Sequence, residues 1–218
     1  MLHTATDLMN YKAVVEGDTL PITDLFFNPT LSHLTHVVVR KGVAPWVEHG
    51  AVSSRHFGAP DVSNRVIGLG ATHDVVDDAP TVEPRTVSET LAQRLIKPVS
   101  EDDQDIADDV EAVHERAHDW IGAPVRHTAQ EAIGVVDDFL IDWPSGEVTH
   151  AVVNTGTTVP ARQVVLPAEC FDVPCDRNPA ITSVVDQGAL QDAPEIEGFD
   201  AVERHWIDTV RTYYKLPI

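Results

Sequence analysis

A stretch of five residues, Thr35-His36-Val37-Val38-Val39, recurs 114 residues further along the chain as Thr149-His150-Ala151-Val152-Val153. Each copy follows an apolar run that closes on a turn residue, Asp24-Leu25-Phe26-Phe27-Asn28 and Asp138-Phe139-Leu140-Ile141-Asp142. Each is followed by a glycine at the same distance, Gly42 and Gly156. The register runs on without a gap through Phe57/Phe171, Asn64/Asn178, Ile67/Ile181, Asp78/Asp192 and Pro80/Pro194. Unrelated segments of this length share far fewer identities, so the sequence reads as an internal duplication. A chain of 218 residues is then expected to form two small units rather than one large one.

The spacing within each copy predicts strands. In the first, 12–16 and 20–28 flank the turn signal Gly17-Asp18, and Asn28-Pro29 ends the second strand because proline lacks the ladder donor. Residues 34–40 form a β-branched third strand, 46–57 supply one or two more, and 64–69 the last. The second copy repeats this with 133–142, the turn at 143–146, 148–153, 163–166 and 181–185. Five or six short strands per copy predict a mainly β chain of two small β-barrels. The lead-in, residues 1–10, is expected to have little order.

Between the copies the character changes. Residues 88–95 can form a helix capped by Ser88 and stopped by Pro98. A longer helix is predicted over 102–120, because Ile106, Val110, Val113, Ala117 and Trp120 fall at helical spacing. An amphipathic tail helix is expected over 199–214, with Val202, Trp206, Val210 and Tyr213 on one face. The expected domains are therefore residues 1–83 (first barrel), 84–117 (helical connector), 118–197 (second barrel) and 198–218 (C-terminal helix).

The turn-flanked strands have a further reading. The pieces 133–142 and Val148-Thr149-His150-Ala151-Val152-Val153-Asn154-Thr155-Gly156, continued by Gln163-Val164-Val165-Leu166-Pro167, resemble the PRC-barrel family. The first copy is more divergent, with Leu20 in place of Gly134 and Val52-Ser53 in place of Leu166-Pro167. The resemblance implies tandem PRC-like barrels. That family is similar to the cytoplasmic domain of the photosynthetic reaction-centre H subunit and to the C-terminal domain of a ribosome-maturation factor. Both dock onto larger assemblies without catalysis in the barrel, so the resemblance implies an adaptor-like role.

Charge narrows the partners. With 35 acidic residues against 15 basic ones, the formal charge of −20 opposes nucleic acid and anionic lipid surfaces. Lysine is scarce, and the acidic bias also suits a salt-adapted genome. No apolar run approaches the roughly 18 residues of a membrane span. No basic patch followed by a hydrophobic segment marks a signal peptide, so a cytoplasmic protein is expected. Two cysteines, Cys170 and Cys175, are too few for a disulfide framework and read as free structural thiols, with a local disulfide or a metal or redox role as alternatives.

Few residues suggest chemistry. His114-Glu115-Arg116-Ala117-His118 fits H-E-x-x-H, which on a helix would turn both histidines to one face for a metal ion. Arg116 inside the motif and the lack of a third ligand favour a solvated connector instead. His36 and His150 hold equivalent strand positions, able to line a pocket or to bond a neighbouring loop. Asp24 and Asp138 recur as paired carboxylates and are read as strand-end caps. Trp143, in a turn, is expected to be exposed and to contact a partner together with Trp206 and Tyr213, while Trp46 is assigned to core packing. No phosphate loop, dinucleotide fingerprint or nucleophile elbow is present, so neither a cofactor nor an enzymatic activity is expected. The expected function is a scaffold or adaptor that binds a protein partner or itself. Two alternatives stand beside it: a metal or small-molecule sensor using His114 and His118, and a soluble relative of the reaction-centre H subunit assisting electron-transfer assembly.

Overall fold

A computed structural model describes residues 1–83, 114–127, 132–143, 145–156, 162–173, 180–195 and 204–217. The chain is mainly β and divides into two compact units. One comprises Asp7–Pro29 and Leu34–Asp119 and carries the first copy; the other comprises Met1–Thr6, Thr30–His33 and Trp120–Ile218 and carries the second. The predicted helix over 88–95 and most of the one over 102–120 lie outside the described residues.

The chain opens on a short strand, β1 (Leu2–Thr4), and one helical turn, Ala5–Leu8, where little order was expected. The first-copy sheet follows: β2 (Lys12–Val15), β3 (Asp18–Phe27), β4 (Leu34–Val43), β5 (Trp46–Ser53), β6 (Phe57–Asp61) and β7 (Val66–Leu69). The turn between β2 and β3 is Glu16-Gly17, both at positive φ, one residue before the position the sequence suggested. That two-residue left-handed loop matches the twist of a tight hairpin. A two-residue strand, β8 (Glu115–Arg116), completes this sheet against β3. The second-copy sheet contains β9 (Pro124–Arg126), β10 (Ala132–Asp142), β11 (Glu147–Asn154), β12 (Gln163–Pro167), β13 (Phe171–Asp172) and β14 (Ile181–Ser183), with β1 against β10.

The strand orders correspond: β5-β4-β3-β2-β7-β6 in one sheet and β12-β11-β10-β9-β14-β13 in the other. Both are open paths, so among the described residues neither sheet closes into the barrel expected. Each has one parallel pair, β2 with β7 and β9 with β14. The 114-residue offset extends to irregular detail. The 3-10 turn Ser54–His56 is matched by Ala168–Cys170, and the helix His73–Asp77 by Gln187–Gln191. The isolated bridge between Gly50 and Thr81 is matched by that between Val164 and Glu195. A register shift between Ile22 and Asp24 recurs between Val136 and Asp138.

The leading strands do not follow chain order. β8 precedes the second copy but pairs with β3, and β1 precedes the first copy but pairs with β10. Each sheet thus takes its seventh strand from the segment that leads into the other copy.

The cores repeat as well. Phe26, Val38, Ala51 and Val82 cluster in the first-copy unit, and Leu140, Val152 and Val165 occupy the first three of those positions in the second. There the cluster is completed by Val210 of the tail helix Arg204–Tyr213, with Leu2, Trp206 and Tyr214 packed against it. Val37–Val39 and Ala151–Val153 are buried on both sheet faces, which explains runs of apolar residues in place of alternation.

Two aromatic placements differ from expectation. Trp143 is only 5 % exposed, because β1 runs beside its turn and its N–H donates to the Met1 carbonyl at 3.0 Å. Trp46, assigned to the core, is 77 % exposed. The reason is topological: β3 pairs with β4 only as far as Val39, whereas β4 and β5 continue together to Val43 and Trp46. Among the described residues no third strand covers the end of that ribbon.

Candidate functional site

The repeated register shift sets an aspartate at the same point of each sheet. Such a bulge adds a residue to one strand and re-aims its neighbour's side chain. Asp24 and Asp138 are both buried, and Oδ1 of each accepts the N–H of the next residue, Leu25 or Phe139, at 2.8 Å. A buried carboxylate needs such partners, since desolvation of its charge is costly. What differs is the leading strand that reaches it.

In the first-copy unit the visitor is cationic. His118 Nδ1 lies 2.9 Å from Asp24 Oδ1, and Arg116 Nη1 lies 3.6 Å from Oδ2. The bond to Asp24 raises the His118 pKa against the opposing effect of burial. Arg116, also buried, donates to the Glu83 carbonyl at 2.7 Å and sits over the Phe26 ring at 5.0 Å. Two more histidines stand near. His36 meets His114 edge-to-face at 5.0 Å, and burial followed by His114 lowers its pKa. His49 shares a 3.0 Å contact with the Thr23 hydroxyl, and burial lowers its pKa too.

In the second-copy unit the visitor is neutral. The Thr6 hydroxyl donates to Asp138 Oδ2 and the Thr6 N–H to Oδ1 at 3.2 Å. Burial raises the Asp138 pKa, and the bonds from Thr6 and Phe139 hold it back. The same strand-borne aspartate therefore clamps an Arg/His pair in one unit and hydroxyls in the other. Neither is the turn or strand-end cap expected: both carboxylates lie inside their strands, β3 and β10, at the register shift.

The second-copy unit also contains a cavity of about 620 Å³ beside β11, with His150, Glu169 and Arg211 of the tail helix among its lining residues. Arg211 Nη1 pairs with Glu169 at 2.9 Å. His150 is 2 % exposed, and burial lowers its pKa to about 4.

The sequence-singled residues separate. His114 and His118 do not share a helix face: β8 lies between them, and His118 lies in a separate short helical turn, Ala117–Trp120. His118 is committed to Asp24 and His114 to the His36 ring. Among the described residues no group of three or more His, Cys, Asp or Glu side chains could hold a metal ion. Cys170 is a buried free thiol, its pKa raised by burial; Cys175 lies outside the described residues. Trp206 packs on the core and the Tyr213 hydroxyl donates to the Ala189 carbonyl at 2.6 Å, so both anchor the tail helix internally. Arg116, Glu169, Arg211 and Trp46 were missed as site residues. Only Arg116 carried a signal, as the cation that spoiled a metal motif.

These features define a class of protein: a mainly β chain of two mixed sheets, each built around a bulge-borne buried aspartate clamped by a visiting strand. Residues 113–188, about a third of the chain, match the PRC-barrel domain. The match covers most of the second copy together with β8; it does not itself show a tandem arrangement. No curated protein matches the chain. No helix among the described residues is long and apolar enough to cross a membrane.

Proposed function

We propose that this chain is a non-enzymatic scaffold or adaptor, built from a duplicated PRC-like module, that binds a protein partner through the β4–β5 ribbon. The duplication is supported by the offset shared by turns, helices, bridges and bulges. The binding role rests on one observation: Val43 and Trp46 are 77 % exposed and Val47 43 %, together at the uncovered end of that ribbon. A cluster of this kind, with an aromatic anchor at its centre, is the composition found at contact hot spots. The repeated carboxylates support the same reading, since their contacts are spent within the fold.

The test compares wild-type protein with Trp46→Ser in affinity capture and in analytical ultracentrifugation, with circular dichroism to verify the fold. Loss of a captured partner, or of self-association, in the variant alone is the expected result. Identical capture by both proteins, or substrate turnover by the purified chain, would overturn the proposal.

A further inference from the structure

From the β4–β5 ribbon we infer the chemistry of the partner it takes: a protein segment presenting an arginine, whose guanidinium lies on the Trp46 ring and forks onto the Glu48 carboxylate. This rests on the ribbon being the contact surface and adds what that surface recognises.

Strand register brings the two residues together. β4 and β5 pair without a shift from His36↔Ser53 to Val43↔Trp46, so Lys41 stands opposite Glu48. Opposite residues, and residues two apart on one strand, share a face of a sheet. Trp46 and Glu48 are therefore neighbours on the face that carries Val43 and Lys41. Arg40, Val47 and His49 belong to the other face.

The one cation of the ribbon on this face is committed elsewhere. Lys41 is buried, and its Nζ donates to the Val76 and Asp77 carbonyls at 3.1 and 2.9 Å, at the end of the helix His73–Asp77. Glu48 lies farther off, at 3.9 Å from the same nitrogen. Its side chain is exposed and makes no hydrogen bond among the described residues. Nor does any cation among them lie over the Trp46 ring. Exposed Asp77 and Asp78 add negative charge at the helix end that Lys41 reaches.

An exposed indole with a free carboxylate two residues along suits arginine above other groups. The guanidinium is planar and weakly hydrated, stacks on an aromatic face, and offers paired N–H donors to a carboxylate. A lysine ammonium is a point charge without that fork. Val43, opposite Trp46, gives the arginine stem an aliphatic surface. An acidic segment is opposed by the charge of −20.

The second copy inverts the arrangement. Arg162 stands where Glu48 does, and Thr155 where Lys41 does. There Arg162 donates to the Gln191 and Ala193 carbonyls at the end of the matching helix and pairs with Glu195 at 3.2 Å. In the first copy the capping cation comes from β4 instead, which leaves the facing position on β5 to an acid. The site belongs to the first copy alone.

The experiment titrates the full chain, 15N-labelled at tryptophan, with a capped pentapeptide of alternating valine and arginine, beside its lysine and citrulline counterparts. The Trp46 indole resonance should move saturably with the arginine peptide, while those of the buried Trp120 and Trp143 stay in place. By calorimetry the lysine peptide should bind about threefold more weakly, and the citrulline peptide about tenfold or more. Trp46→Ser should weaken arginine-peptide binding about tenfold and Glu48→Gln roughly threefold. Both are exposed positions, and circular dichroism verifies the fold of each variant. Three results would overturn the inference: lysine or citrulline peptide binding as tightly as arginine peptide, wild-type affinity in either variant, or no saturation by about 10 mM. A partner whose capture is lost in Trp46→Ser but kept in Glu48→Arg overturns this inference alone. Equal capture by wild type and both of those variants overturns the ribbon reading beneath it.

Discussion

Replacing Asp24 by alanine tests how the leading strand β8 is held. The substitution removes the acceptor of the Leu25 N–H at 2.8 Å, the carboxylate 2.9 Å from His118 Nδ1, and the counter-charge of a buried guanidinium. Removing one partner of a buried ion pair costs about 3–5 kcal/mol, because the remaining charge is left in a medium that solvates it poorly. The lower end is expected here. Arg116 keeps the Glu83 carbonyl and the Phe26 ring, and His118 can release its proton. Urea denaturation by circular dichroism gives the stability, and hydrogen exchange of β3 and β8 amides locates the loss in the first-copy unit. A pH signature accompanies it. The His118 pKa is raised in the folded state chiefly by its bond to Asp24, so the folded form holds its proton to higher pH than the unfolded form does. The pair's contribution is fully present below the unfolded histidine value, about 6.5. It is lost as pH rises through the raised folded value, and in Asp24→Ala this fall should vanish. A loss under about 1 kcal/mol at pH near 6, with the pH slope unchanged, would refute the buried-pair account and leave only the exposed-pair scale.

Two further outcomes follow from the same geometry. Thr6→Val removes the hydroxyl that donates to Asp138 and should cost about 1–3 kcal/mol. Because burial already raises the Asp138 pKa and Thr6 holds it down, the variant should raise it further, so its deficit in urea denaturation should be larger near pH 7 than near about pH 4. Gly134→Ala places a Cβ 2.7 Å from Val153 Cγ1 and 2.9 Å from the Asn154 carbonyl oxygen, and thermal denaturation should show a loss of about 1–3 kcal/mol. A neutral or stabilised variant would mean that β10 and β11 can separate there at little cost.

Much of the strand pattern was legible because it is written in local chemistry. The β-branched runs at 34–40 and 148–153, the Asn28-Pro29 stop and the glycine turns act through sterics and hydrogen bonding within a few residues. The H-E-x-x-H match misled for the same reason: periodicity alone made 102–120 a helix, but Glu115 and Arg116 gain more by pairing with β3, where Asp24 waits for a cation. Trp143 and Trp46 exchanged roles because exposure depends on what lies alongside. β1 covers the first, and among the described residues no third strand reaches the second.

By itself the sequence determined that the chain is mainly β, that it contains one motif twice, and that it is strongly acidic. These properties are sums or repeats over residues and need no knowledge of distant neighbours. Only the tertiary structure decided which sheet each leading strand joins, that Asp24 meets Arg116 and His118 while Asp138 meets Thr6, and that the tail helix lines a cavity beside β11. Those pairings join residues some 60 to 140 positions apart, and a contact at that separation is set by packing and desolvation, which leave no local mark on the chain.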